Sequence, residues 1–153
     1  MKLVTVTQMR AIEKEADANG VSYAQLMQNA GRGLAELVHG VGQENGWDRI
    51  TALVGPGNNG GDALVALTWL AQAGWTTHAH LVKREAGDDD LVMTYLSVGG
   101  EVTDSGDSQS LVEFLNESDV LLDGLLGTGI KLPLKKEAAQ VLESAKNFMA
   151  EME

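Results

Sequence analysis

Apolar positions recur with two different periods along this chain, and the change of period near Trp47 divides it. Before that point the spacing is helical. Thr7 is placed to cap a helix running to about Asn19, with Met9, Ile12 and Ala16 on one face and Gly20 as its stop. Ser22 is placed to cap a second helix, to about Val41, whose buried side would carry Leu26, Met27, Ala30, Leu34 and Leu37. After Trp47 short apolar runs alternate with helical patterns. Strands are expected at 49–54, 76–83, 101–103 and 119–126, and helices at 62–73, 89–98, 108–116 and within 133–150. Such alternation predicts right-handed βαβ units. The expected fold is therefore α/β: a Rossmann-like three-layer sandwich with a mostly parallel central sheet and two N-terminal helices. The stretch ALVALTWLA is apolar nearly all round, as suits a helix covered on both sides.

Length and composition narrow the class. A chain of 153 residues fits a single domain over 1–153 with one substantial core. Hydrophobic residues make up 44% and charged residues 22%, ordinary for a globular protein. The net charge of −11 argues against a nucleic-acid partner, because neutralising phosphates takes clustered Lys and Arg. There are no cysteines, so disulfides, thiolate catalysis and Cys-held metals are excluded. The opening residues lack a signal-peptide apolar stretch, and no run approaches the roughly 18 apolar residues of a membrane helix. A cytoplasmic protein without membrane partners is expected.

Two segments carry the chemistry. Residues 55–62 read Gly-Pro-Gly-Asn-Asn-Gly-Gly-Asp, placing four glycines in seven residues between a strand and a helix. A loop so placed aims several backbone N–H groups, and the positive end of a helix, at one point. It contains GxGxxG, yet Pro56 removes an N–H, the Asn pair adds side-chain oxygens, and Asp62 puts a carboxylate at the helix start. No Lys-Ser/Thr follows, so it is not a Walker loop. An anion and a hard cation could share it; the plainer alternative is a glycine-rich turn with Asp62 as helix cap. The second segment, DVLLDGLLGTG over 119–129, delivers Asp123 at a strand end and turns through Gly127, Thr128 and Gly129. In open parallel sheets ligands bind beyond the carboxyl ends of strands, so both loops would face one crevice if their strands are neighbours. The plainer alternative is a local salt bridge and a turn without a ligand.

These segments, with VTVTQMRAIEKEA and LMQNAGRGLAE before them and IKLPL after, resemble the NAD(P)H-hydrate epimerase family, the YjeF-type N-terminal domain. The resemblance runs from about Val4 to about Leu142. It implies repair of hydrated NAD(P)H by interconversion of its R and S forms, so that a dehydratase can act. It further implies that Asn58, Asn59, Gly60, Gly61 and Asp62 contact the hydrated dinucleotide. Gly127, Thr128, Gly129, Ile130, Lys131, Leu132 and Pro133 would contact its phosphates, and Asn59 and Asp123 would ligate a potassium ion. Asn29 would line the pocket or brace the loop, or else be satisfied locally.

The family pattern continues into a strand bearing Asp-x-Pro-Ser-Gly, whose Asp is the expected acid/base group. This chain's two prolines, Pro56 and Pro133, lie in no such segment. No catalytic residue is assigned, and weak or absent epimerase activity is expected of what reads as a shortened domain. The alternative function is a non-catalytic nucleotide-derivative-binding or scaffold module. A plain Rossmann dehydrogenase is opposed by the Asn pair and by the lack of an acid after the second strand. A homodimer or larger homo-oligomer is expected, because a missing strand would leave an open sheet edge.

Other features carry less. His78 and His80 would share a strand face but lack a third metal ligand, so satisfied or exposed imidazoles are expected. Lys83-Arg84 reads as an exposed basic turn, or as a partner for a ribose 2′-phosphate. Trp69 and Trp75 should pack the first sheet helix. The acidic turn at 87–90 and Lys135-Lys136 should be solvated, and His39 has no evident partner.

Overall fold

The structure, a computed structural model, describes residues 3–130 and 132–151. The elements run α1 (Val6–Ala18), α2 (Tyr23–Asn45), β1 (Arg49–Val54), α3 (Asn58–Gln72) and β2 (Thr76–Leu81). Then follow α4 (Asp90–Ser97), β3 (Glu101–Asp104), α5 (Ser108–Glu117), β4 (Val120–Gly124) and α6 (Lys136–Glu151). The four strands form one sheet in the order β3-β2-β1-β4, and every pairing is parallel.

Side-chain alternation along β1 builds the three layers. Ile50, Ala52 and Val54 point into a core shared with α2, α3 and α4, whereas Leu53 joins Leu111, Leu115, Val141 and Ala145 of α5 and α6 on the other face. The α/β sandwich with its two N-terminal helices is thus as the periodicity predicts. Among the described residues, no helix is long and apolar enough to cross a membrane.

Several boundaries differ from those expected, each for a local reason. Thr5, not Thr7, caps α1. Its hydroxyl accepts from Gln8 N at 3.3 Å while Gln8 Oε1 accepts from Thr5 N at 2.8 Å, a reciprocal capping box. Met9 and Ile12 do share a helix, but both remain exposed and no residue of α1 is buried. Ser22 caps α2 as expected, and that helix runs a turn further, to Asn45. Its buried positions are Gly31, Ala35 and Gly42, while Leu37 is 65% exposed and Ala30 is exposed. The smallest residues face inward because α2 lies almost on α3. A Cβ at Gly31 would stand 2.5 Å from Val65 Cβ and 2.7 Å from the Asp62 carbonyl oxygen. α3 starts at Asn58 rather than 62, since Asn-Asn-Gly-Gly is helical behind an extended Gly57. β2 stops at Leu81, before Lys83 at φ 56°, and β4 spans only Val120–Gly124. His39 does have a partner: it accepts the Trp75 indole N–H through Nδ1 at 3.0 Å. The acidic turn is partly structural, as Asp89 caps α4.

On the α5 face of β2, His78 and His80 are 2% and 0% exposed. His78 Nε2 and His80 Nδ1 both reach the Thr103 hydroxyl, at 2.9 and 2.8 Å, and His78 stacks on Phe114 at 3.6 Å. One hydroxyl carries one proton, so it donates to one ring and accepts from the other. The ring that accepts that proton is therefore neutral at that nitrogen. Their remaining nitrogens, His78 Nδ1 and His80 Nε2, have no partner among the described residues. Burial pushes His78 down to about 3 and lowers His80 as well; His80's charge opposes protonation of His78, and Asp104 and Asp107 only partly offset the burial. With folded-state pKa values below the unfolded value near 6.5, the unfolded chain binds more protons as pH falls. Stability is therefore full above about pH 6.5 and declines from there toward pH 3, each unit of depression being worth about 1.4 kcal/mol. Denaturant unfolding between pH 7 and pH 4 should show this decline, and His78→Phe should flatten it.

Candidate functional site

Parallel register sets β1 and β4 level at their carboxyl ends, with Val54 opposite Gly124. The chain leaves β1 through Gly55, Pro56 and Gly57 into α3, and leaves β4 through Leu125 and Leu126 into Gly127. The two exits interlock. Gly55 N–H donates to Gly124 O at 3.1 Å. A Cβ on Gly55 would collide with the Leu125 carbonyl, and one on Gly60 with the Gly55 carbonyl. Asn59 then fastens α3 to the second loop, its Nδ2 donating to Leu126 O at 2.8 Å. Arg84, just beyond β2, completes the clamp: Nη1 reaches Gly55 O at 3.1 Å and Gly57 O at 3.4 Å, while Nε holds Asp89 Oδ2 at 2.6 Å. It is neither an exposed turn nor free for a 2′-phosphate. Asp89's carboxyl, although burial alone would raise it, is held below the ordinary carboxylate range by Arg84 and by the N–H groups of Val92 and Leu91.

Above this junction opens a cleft of about 640 Å³, within the range of small-molecule sites. Asn58, Asn59, Gly60 and Asp62 line one side; Gly127, Thr128, Gly129 and Ile130 line another. Gly61 does not face the cleft; it packs against Met27, whose sulfur would lie 2.7 Å from an added Cβ. Leu132 is 80% exposed and Pro133 is exposed, both off the wall, and Lys131 lies outside the described residues. Asn29 is exposed and accepts from Gln25 at 3.3 Å, away from the cleft. Lys135, expected to be mere surface, is on the wall.

The helix pointing at this cleft is left uncapped. Side chains of Thr5, Ser22, Asp89 and Asp107 cap α1, α2, α4 and α5, whereas Gly57 gives α3 no side-chain bond. The first N–H groups of α3 thus remain available to an acceptor.

Asp62 sits a turn inside α3. Burial raises its carboxyl above the ordinary value, and the negative charge of Glu13 raises it further. Asp123, exposed at the end of β4, accepts from Leu125 N at 2.9 Å through Oδ1. It lies on the same rim as Asn59 without bonding to it. Asn59 Oδ1 and Asp123 Oδ2 have no protein donor among the described residues. One amide oxygen and one carboxylate are the hard oxygen donors that a potassium ion takes. Among the described residues no group of three or more His, Cys, Asp or Glu is placed to hold a metal.

One wall went unread in the sequence. Val6, Met9, Arg10 and Glu13 of α1 line the cleft. Their i, i+3, i+4, i+7 spacing was legible, but nothing in the sequence said what that stripe faces.

Comparison with known proteins spans both loops. The family model of YjeF-related protein N-terminus matches residues 23–151. The bifunctional NAD(P)H-hydrate repair enzyme Nnr of Thermofilum pendens is 34% identical over 155 residues, covering 94% of this chain and 28% of that protein. The NAD(P)H-hydrate epimerase of Rhodopirellula baltica is 35% identical over 130 residues, covering 78% of this chain and 49% of that protein. The chain thus spans half or less of the length of these relatives. The crystal structure of yeast ynu0 superposes with a TM-score of 0.83 at 22% identity, over 98% of this chain and 67% of that one. That likeness establishes the fold.

Two substitutions test the junction. Gly60→Ala, driven into the Gly55 carbonyl, should destabilise by about 1–3 kcal/mol, whereas Gly57→Ala, with open space around its Cβ, should be tolerated. Asp62→Asn tests the electrostatics. A folded-state pKa raised above the unfolded value means the charged carboxylate opposes folding at neutral pH, and the opposition fades as pH falls through both values. Asp62→Asn should therefore melt higher than the parent at pH 7, with the gap closing toward pH 3.

Proposed function

The chain belongs to the family of YjeF-related N-terminal domains, and on that premise we propose that its cleft binds hydrated NAD(P)H. The observation that carries this reading is the Asn59–Leu126 bond, which fastens the uncapped end of α3 beside the Gly-Thr-Gly loop on a cleft of about 640 Å³. Backbone N–H groups at a helix start suit a phosphate, and the relatives named above are NAD(P)H-hydrate epimerases and repair enzymes.

In this reading Asn58, Asn59 and Gly60 hold the dinucleotide from one side, and Gly127, Thr128, Gly129 and Ile130 contact its phosphates from the other. Leu132 and Pro133, which stand away from the wall, contribute by shaping the loop's exit. Asn59 Oδ1 and Asp123, which is on the same sheet rim but not among the residues lining the cleft, would hold a potassium ion, and the ion would supply fixed positive charge there. Asp62, with its carboxyl raised by burial and by Glu13, holds a proton more readily than an ordinary aspartate and can share it with a polar group of the ligand.

Turnover is a separate matter from binding. Epimerisation requires an acid/base group within hydrogen-bond reach of the reacting ring carbon. The Asp-x-Pro-Ser-Gly segment that the resemblance leads one to expect is not among these 153 residues. We therefore assign ligand binding to these residues and give the acid/base role in R/S interconversion to none of them.

Thermal melting with hydrated NADH or NADPH tests the binding. At a hundredfold excess over Kd the ligand adds about 2.7 kcal/mol, so the midpoint should rise by several degrees. The rise should be larger in potassium than in sodium. Asn59→Ala should weaken binding about tenfold, or about 1.4 kcal/mol. No shift with either hydrated cofactor would remove the reading.

A further inference from the structure

We infer that α1 is a wall of the cleft which the ligand itself orders, and that Arg10 on it recognises a phosphate of the bound nucleotide. The ligand class rests on the reading above; the role of α1 does not follow from it. Val6, Met9, Arg10 and Glu13 form one helical stripe, and all four line the cleft. Nothing else accounts for that stripe. No residue of α1 is buried, and Val6 and Met9, apolar side chains on the cleft, are 41% and 44% exposed. The helix is closed at its start by its own Thr5–Gln8 capping box rather than by the body of the protein. A short helix without buried side chains is marginal in water. A filled cleft supplies the missing apolar contact, so binding and the order of α1 are coupled.

Of the cations at the cleft, Arg10 and Lys135 are left unspent by their neighbours, and of these two Arg10 alone carries a guanidinium. Arg84 is committed to Asp89 and to the Gly55 and Gly57 carbonyls, and Lys83 pairs with Glu137 at 2.8 Å. Among the described residues neither Arg10 nor Lys135 makes an ion pair, although the chain carries 22 acidic residues against 11 basic ones. A guanidinium on a cleft wall, unspent in so acidic a chain, presents the planar donor fork that phosphate takes bidentately. Glu13, three residues along and about 4.5 Å further up the axis, gives the same stripe an acidic end beside Asp62. The wall thus offers a cation for a phosphate and a carboxyl for a neutral polar group.

The test compares hydrated NADH binding by the parent, Arg10→Gln, Arg10→Lys and Lys14→Gln, with amide hydrogen exchange over residues 6–18. Lys14 is exposed on the same helix but off the cleft wall, so Lys14→Gln removes an equal charge without the contact. Arg10→Gln should weaken binding about tenfold, Arg10→Lys should recover part of that loss, and Lys14→Gln should stay within twofold of the parent. Saturating ligand should slow exchange across α1 in the parent and markedly less in Arg10→Gln. Equal weakening by Arg10→Gln and Lys14→Gln would reduce Arg10 to bulk charge and overturn its assignment. Binding by the parent with exchange in α1 unchanged would overturn the ordered wall while leaving the proposed function standing. Absence of binding by the parent would overturn both.

Discussion

Backbone touching backbone at the carboxyl rim of the sheet is the constraint on which the site depends. Gly55 lies against the Leu125 carbonyl, Gly60 against the Gly55 carbonyl, and Gly124 against Ala63 and the Asn59 carbonyl. Such approaches exclude a Cβ, so the glycines there are required by proximity rather than by flexibility. The consequence is positional. With the loops in van der Waals contact, the Asn59 amide can reach Leu126 O, and the free end of α3 is held at a fixed distance from the Gly-Thr-Gly turn. Arg84 seals the junction from beneath by occupying two of its carbonyls.

Legibility in the sequence followed the range of the interaction. Short apolar runs and helical patterns gave all four strands and six helices of the described residues: the central parallel strands β1 and β2 are buried on both faces, whereas a helix reports its buried side by its period. The glycine loops were legible as a site because their density has few structural explanations. Boundaries were read less well where propensity and context conflict. Asn-Asn-Gly-Gly is poor helix sequence, yet it is helical because the close packing at Gly60 and Gly61 admits nothing larger. Leu37 looked like core and is exposed, since the α2–α3 contact is set by Gly31 and Ala35. Least legible were partners distant in sequence. Arg84 bonds across 29 residues to Gly55, and His39 across 36 to Trp75; no local pattern announces either.

An acidic chain is an unexpected host for a phosphate-bearing ligand only if net charge is taken to act at a site. It does not, because charges beyond roughly 8–10 Å are largely screened at ordinary ionic strength. What an anion meets in this cleft is a helix start without a side-chain cap and a short stretch of wall with Arg10 and Lys135. The surplus of carboxylates lies mostly elsewhere. The exceptions, Glu13 and Asp62, are informative: burial of Asp62, and after it the negative charge of Glu13, raise the Asp62 carboxyl above its ordinary value. On the proposed function, the cleft would combine anion affinity with a carboxyl that holds its proton more readily than an ordinary aspartate.

These features divide the molecule by rigidity. The sheet, α3 and the glycine junction are packed to full burial, down to Leu64, Leu67 and Leu70 at 0% exposure, and their geometry cannot adapt to a ligand without breaking backbone contacts. α1 is the opposite case, with apolar side chains on a cleft and no core of its own. A fixed floor and an adaptable wall have different tasks. On the proposed function the floor would set where phosphates lie, because its donors are main-chain groups whose positions are fixed by packing. On the inference above the wall would respond to whether the cleft is filled, because a ligand there would bury apolar side chains of α1 that the fold leaves exposed. Selectivity that rests on the floor should therefore be insensitive to single side-chain changes outside the glycines and Asn59, whereas selectivity that rests on α1 resides in a few replaceable side chains.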